Sequence, residues 1–300
     1  MTQSDGSTQM VLPRIKVQRE WVGAPSGTLK NPTCWLFVVA LGGLASGTAG
    51  YLLGQLSAWA TIAINAASIY LLFTVMHDSM HRTAHESRFI NDLLGRLSAL
   101  PLTVTMPLFR AVHYEHHSHT NDPERDPDLI VNRRPRWALP LWCLAIVFEY
   151  RRQYFGRRMW RDRSELMEAS AMECLLVGAM IVAAATGTFE TLAIVWLGPA
   201  LIAVAALALA FDFLPHYPYE SQERYLDTRV YPGRILNALL LGQNYHLVHH
   251  LWTTIPWYRY QRVFGEIQDE LAERGARIEW RKKPAGQTMP NAGLSNAGSD

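Results

Sequence analysis

Charge is scarce in this chain of 300 residues: Asp, Glu, Lys and Arg make up only 18%, against roughly 25% in ordinary soluble domains. That shortage argues against a cytosolic enzyme. It is also uneven, because no charged residue occurs from Asn31 to Met76 and none from Thr191 to Phe211. A formal net charge of +2 creates no basic field, and no Lys/Arg-rich stretch is interleaved with aromatics, so nucleic acid is excluded as a partner. Cysteine is nearly absent as well. Cys34, Cys143 and Cys174 are far apart and form no C-x-x-C, zinc-ribbon or c-type haem spacing, so they read as small buried hydrophobes in a reducing compartment. No Glu-x-x-His of the soluble di-iron bundles occurs. The zinc-protease pattern that His85-Glu86 begins fails at Phe89.

The uncharged runs are long enough to span a membrane, since about 20 apolar residues cross the roughly 30 Å hydrocarbon layer. The first run predicts two crossings, near Cys34 to Leu53 and Trp59 to Met76, joined by the turn Gly54-Gln55-Leu56-Ser57. A second pair is expected from Ala171 to Thr186 and Thr191 to Phe211, turning at Gly187-Thr188-Phe189-Glu190, with Glu173 tolerated near the entry end. Of the 28 Lys and Arg residues, 4 precede Asn31, 14 lie between His77 and Ser170, 10 follow Phe211 and none is in either turn. Basic residues stay on the cytoplasmic side. The expected fold is therefore an all-α integral membrane protein, with four transmembrane helices arranged as two hairpins and a cytoplasmic histidine-rich cap holding a dinuclear metal site.

Residues 1–30 read as a polar segment without the features of a cleavable secretory signal, residues 31–284 as the membrane domain and residues 285–300 as a disordered tail. Thr2 to Gln9 is expected to be disordered too. Leu97 to Phe109 and Trp137 to Phe148 are too short to cross and suit interfacial or re-entrant segments. Arg151 to Arg163 reads either as an amphipathic helix at the headgroup layer or as a solvated face.

All eleven histidines lie between His77 and His250, in spacings that chance seldom produces. His77 and His81 are one helical turn apart and can face one metal. His85 is about 12 Å along the axis from His77 and belongs to a second metal or to an outer layer of partners. His113-Tyr114-Glu115-His116-His117 and His246-Leu247-Val248-His249-His250 both contain H-x-x-H-H. Neighbouring histidines on a helix point about 100° apart, so each such pair makes sense if it addresses two metals. His216 emerges at the end of the fourth crossing, either completing the ligand set or serving as a structural residue. Imidazole suits zinc, copper and iron alike, and open positions among nitrogen ligands favour redox work at iron.

These boxes resemble those of the membrane fatty-acid desaturase and hydroxylase superfamily, over roughly His77 to Tyr260. The runs Thr120-Asn121-Asp122-Pro123-Glu124-Arg125-Asp126-Pro127-Asp128 and Phe211-Asp212-Phe213-Leu214-Pro215-His216 are most similar to its cyanobacterial-type β-carotene hydroxylase branch. The resemblance implies two non-haem irons, with O2 as co-substrate, attacking an unactivated C–H bond of a hydrophobic lipid. His77, His81, His113, His116, His117, His216, His246, His249 and His250 match the family's ligand positions. Asp78, Glu115, Asp122, Asp126, Asp128 and Asp212 are candidates to accept an imidazole N–H, or else ordinary caps and turns. Asn244 is a candidate ligand through water. No cysteine framework or spare histidine pair for an electron carrier is present, so a separate donor, ferredoxin with its reductase, is expected. Arg82, Arg88, Arg110, Arg125 and Arg151 could dock it, although membrane topology alone accounts for them. The implied reaction is β-carotene ring 3-hydroxylation toward zeaxanthin, in a bacterial inner membrane. An acyl-lipid desaturase or hydroxylase is the alternative, ahead of a b-type haem protein or a membrane zinc hydrolase.

Overall fold

The computed structural model describes residues 12–24 and 27–280. The expected disorder of Thr2 to Gln9 and of the tail falls outside these residues. The described chain is mostly helical, and four helices are long and apolar enough to cross a membrane. They are α1 (Pro32–Leu52), α2 (Ala58–Met80), α6 (Arg163–Thr186) and α7 (Phe189–His216). Between them lie α3 (Arg88–Ala99), α4 (Met106–Ser118) and α5 (Leu139–Gly156). After them come α8 (Arg234–Leu240), α9 (His246–Leu251) and α10 (Tyr260–Glu273). A two-residue parallel pair joins β1 (Arg229–Val230) to β2 (Arg277–Ile278).

Local chemistry sets these boundaries. Asn31 caps α1 by accepting from Thr33 and Cys34 N–H, and Pro32 occupies the first turn, where its missing N–H is harmless. Ser57 caps α2 through Ala60 N–H. Gly54 and Gly187 both lie at φ +71°, a conformation that a side chain resists, so the turns fall where expected. The helix α2 does not stop at Met76, but carries His77 inside its last turn and leaves His81 as its C-cap.

Several expected boundaries are corrected. Arg151 to Arg163 is not one helix: Arg151–Gly156 closes α5, and the turn after it ends at Asp162, which caps α6 by accepting from Ser164 and Glu165 N–H. That cap starts α6 at Arg163 rather than Ala171. Glu173 is held within the helix by an ion pair with Arg151 at 3.0 Å. Of Trp137 to Phe148, the first two residues lie in a 3-10 turn, Arg136–Ala138, and the rest is absorbed into α5, whose Pro140 sits harmlessly in its first turn. Leu97 to Phe109 is divided between α3, a 3-10 turn at Leu100–Leu102 and the start of α4. Cys174 is exposed on α6, whereas Cys34 and Cys143 are buried.

The helix α7 contains two π-helical stretches, Ala193–Leu197 and Ala208–Phe213. Such stretches shift the side-chain register and free carbonyls from the usual ladder. Asn65, fully buried in α2, donates to Val195 O in the first stretch at 2.8 Å and to Thr48 Oγ1 of α1 at 3.0 Å. Its close approach needs Gly47, where a Cβ would fall 2.2 Å from Asn65 Oδ1. We expect Asn65→Ala to destabilise the fold by about 1 kcal/mol, in the range of polar contacts between membrane helices. Thermal unfolding of the purified protein in detergent measures it.

Candidate metal centre

Four helix ends carry the histidines. His77 and His81 come from the last turn of α2, His113, His116 and His117 from α4, His216 from the end of α7 and His246, His249 and His250 from α9. Gly242 makes the approach to α9 possible: its φ is +85°, and a Cβ there would sit 2.4 Å from Trp257 O.

Two groups form. His77, His81, His113 and His249 each offer a nitrogen within 4.8 Å of the others, and His116, His216, His246 and His250 do the same. His117 joins the first group, with its Nε2 at 2.8 Å from His113 Nε2 and 2.9 Å from His249 Nε2, while its ring also faces His250 at 4.4 Å. The adjacent pairs His116/His117 and His249/His250 are thus divided between the two groups, as their 100° separation on a helix requires. The nitrogens that face one another are Nε2: His81 meets His113 at 3.1 Å, His116 meets His250 at 3.3 Å and His250 meets His246 at 3.1 Å.

The outward Nδ1 atoms have their own acceptors. His249 Nδ1 lies 3.0 Å from Tyr260 Oη and His246 Nδ1 3.1 Å from Gln243 Oε1, each oxygen placed to accept a proton held on Nδ1. His116 Nδ1–H lies between Asp126 at 2.9 Å and Asp128 at 3.2 Å. Placing the proton on Nδ1 leaves the Nε2 lone pair aimed inward. Burial, with the neighbouring imidazoles reinforcing it, pushes His113, His117, His246, His249 and His250 well below the usual histidine range, so these rings are neutral. At His116 burial also works against charge, but the carboxylates of Asp126 and Asp128 outweigh it and push the ring up to about 10. That corner of the site attracts a cation.

The residues fit metal ions on a further observation. His77 and His216 are buried, and neither ring nitrogen of either one has a hydrogen-bond partner among the described residues. Leaving such atoms unsatisfied costs about 1–3 kcal/mol each. An ion in each group would take up the lone pairs.

Other expected participants lie elsewhere. His85 is outside both groups: its Nδ1 accepts Ser87 N–H at the start of α3, and its Nε2 lies 3.3 Å from Thr28 Oγ1. Asp78 accepts from Thr33 Oγ1 and Trp257 N–H, tying α2 to the start of α1 and the turn before α10. Glu115 pairs with Arg125, Arg157 and His119 at the surface, and Asp122 caps its own loop. Asn244 spends its Nδ2 on Tyr231 O, and its Oδ1 is buried without a partner among the described residues. Four partners went unread in the sequence: Tyr260, Gln243, Asp227, which lies 3.8 Å from His250 Nδ1, and Tyr150, which donates to Asp128 at 2.7 Å. Of these only Gln243, one turn before His246, carries a local signal.

An apolar cavity opens beside the histidines, walled by Phe73 and Met76 of α2, Phe109 of α4, Ile146 and Tyr150 of α5 and Val204, Leu207 and Asp212 of α7. Phe73 stacks on His77 at 5.9 Å, and Phe109 on His113 at 5.3 Å. Cavity and histidine site share a wall.

A helical protein with four membrane-length apolar helices and two buried histidine groups able to hold metal is the class that the geometry defines. Residues 53–282 match the family described as fatty acid desaturase, and the chain belongs to that family. It is 29% identical over 216 residues to dihydrorhizobitoxine desaturase of Bradyrhizobium elkanii, covering 62% of this chain and 61% of that protein. It is 25% identical over 232 residues to sn-1 oleoyl-lipid 12-desaturase of Picosynechococcus, covering 67% and 66%. It is 27% identical over 215 residues to zeaxanthin 4-ketolase of Chlamydomonas reinhardtii, covering 67% and 44%. The chain thus spans less than two thirds of the length of these curated relatives.

The geometry sets His117 against the first group and leaves His85 outside both. His117→Ala should lower the metal bound per chain, whereas His85→Asn should leave it unchanged, as elemental analysis of the purified proteins reads directly.

Proposed function

We propose that the protein is an oxygen-dependent di-iron hydroxylase of a membrane lipid, acting on β-carotene at the ring 3-position toward zeaxanthin. The lipid reading rests on the apolar cavity, because a substrate lying between the spans reaches the faces of Phe73 and Phe109 and, beside them, His77 and His113. It need not cross water to do so. The carotenoid reading is supported by the runs Thr120 to Asp128 and Phe211 to His216, and by similarity to a carotenoid ketolase. Acyl-lipid desaturation or hydroxylation is the second reading, favoured by the name of the sn-1 oleoyl-lipid 12-desaturase relative.

In this reading His77, His81, His113, His117 and His249 hold one iron, and His116, His216, His246 and His250 the other, with Asp126 and Asp128 supporting His116. Bound irons would supply oxygen activation and electron storage for attack on the C–H bond. Each hydroxylation consumes one O2, two electrons and two protons, places one oxygen atom on carbon and releases the other as water. The protein's own residues orient the imidazoles, wall the substrate off from water and neutralise the one arginine of the cavity wall. That arginine, Arg151, is tied to Glu173 and to Thr103 O.

The electrons come from a separate ferredoxin and its reductase. Two helical hairpins, α1 with α2 and α6 with α7, dip from the cytoplasmic side of a bacterial inner membrane, with both termini cytoplasmic and residues 31–284 as the catalytic unit.

Expression in cells that accumulate β-carotene, followed by pigment extraction, tests this. Polar hydroxylated carotenoids should appear, and should vanish in His116→Ala and His249→Ala. Unchanged pigments alongside altered fatty-acid profiles would overturn the carotenoid reading in favour of the acyl-lipid one.

A further inference from the structure

The two histidine groups are chemically unequal. Around the first group the outward partner is neutral: Tyr260 Oη lies 3.0 Å from His249 Nδ1. Asp78, although on the same helix as His77 and His81, spends its carboxylate on Thr33 and Trp257 N–H instead. Around the second group His246 meets the neutral Gln243 Oε1, but carboxylates stand behind two of the other rings. Asp126 and Asp128 both reach His116 Nδ1 at 2.9 and 3.2 Å, and Asp227 lies 3.8 Å from His250 Nδ1. His116 and the two aspartates are buried.

Neutral and anionic partners act differently on an imidazole. A carboxylate that accepts the outer N–H strengthens the inner lone pair as a donor, and its charge adds attraction for a cation in a medium where water screens little. The carboxylates are also separately anchored. Asp126 accepts Asn121 and Asp128 N–H, so it shapes its own loop as well as His116. Asp128 is freer of backbone duties, and its Oδ1 accepts from Tyr150, which reaches it from the wall of the apolar cavity. Tyr150 and Asp128 therefore form a two-step link from cavity wall to His116.

Resting on the di-iron reading, we infer that the two metal sites bind with unequal strength, the His116 site being the tighter, and that Asp128, held by Tyr150, is the positioning residue that makes it so. The link has a second consequence. Because Tyr150 faces the cavity, an occupant that displaces its hydroxyl loosens Asp128 and is felt at the His116 site but not at the His249 site.

The test uses full-length protein in detergent, stripped of metal and titrated anaerobically with isotopically enriched ferrous iron, with Mössbauer spectra taken at each addition. Wild type should fill in two steps, with one quadrupole doublet appearing before the other. Asp128→Asn, nearly isosteric, should weaken the tighter step about tenfold or more, the scale of lost partners behind metal-ligating histidines, and leave the weaker step in place. Tyr150→Phe, which keeps the ring packing and guards against a folding defect, should shift the same step in the same direction by less. Tyr260→Phe should act on the other step. Two equal steps in wild type, or an Asp128→Asn variant that moves both steps alike or neither, would overturn the inference while leaving the metal reading intact. Failure of the wild-type protein to bind iron would overturn both.

Discussion

Bringing nine imidazoles together in a buried space constrains everything else in this molecule. Their Nε2 atoms approach within about 3 Å of one another in pairs, too close for the rings to be charged together. Burial and mutual repulsion keep most of them neutral, and each neutral ring must then be told which nitrogen carries the proton. Tyr260, Gln243 and the pair Asp126/Asp128 give that instruction by accepting at Nδ1. Where no instruction exists, at His77 and His216, both nitrogens are left without partners among the described residues. Such an arrangement is unfavourable by itself and becomes favourable once lone pairs have cations to share.

The apolar helices serve that site by where they end. Since α2 runs on past the length needed for a crossing, His77 sits one turn from His81 at the helix end rather than within the apolar run. The π-helical stretch Ala208–Phe213 precedes His216, and Asp212 within it joins the cavity wall. Asn65 fastens the other π-helical stretch to α2, so a polar side chain in an apolar helix is explained by the carbonyl that it satisfies. At the opposite end of the chain, Trp21 is buried against Trp252 and donates to Glu266 at 2.7 Å. Arg259 Nη1 meanwhile meets three consecutive carbonyls, Trp21 to Gly23, at 2.9–3.0 Å. The N-terminal segment is thereby strapped over the helices that follow the third histidine box.

Inequality between the two histidine groups follows from topology. The loop after α4 carries two aspartates back to His116 on the same helix, which takes only ten to twelve residues of chain. The first group has no such returning loop, and its helix α2 leads into α3 instead, with Asn91 of α3 donating to Ser79 O. Electrostatic character is thus distributed by which loop folds back and which continues.

Four spans, the positions of both tight turns and the histidine boxes were legible in the residues alone, because they depend on local quantities: run length, absence of charge, glycine and helical spacing. Even the division of adjacent histidines between two centres follows from 100° per residue. Local patterns could not show that His85 would turn to Ser87 N–H and Thr28, that Asp78 would turn toward Trp257, or that Arg151 to Arg163 would break at Asp162. Nor could they reveal Tyr150, Asp227 and Tyr260, whose partners lie 22, 23 and 11 residues away. Those choices belong to the tertiary structure, since a buried polar group takes whichever partner the packing brings within reach, and sequence spacing beyond one or two helical turns carries no record of that distance.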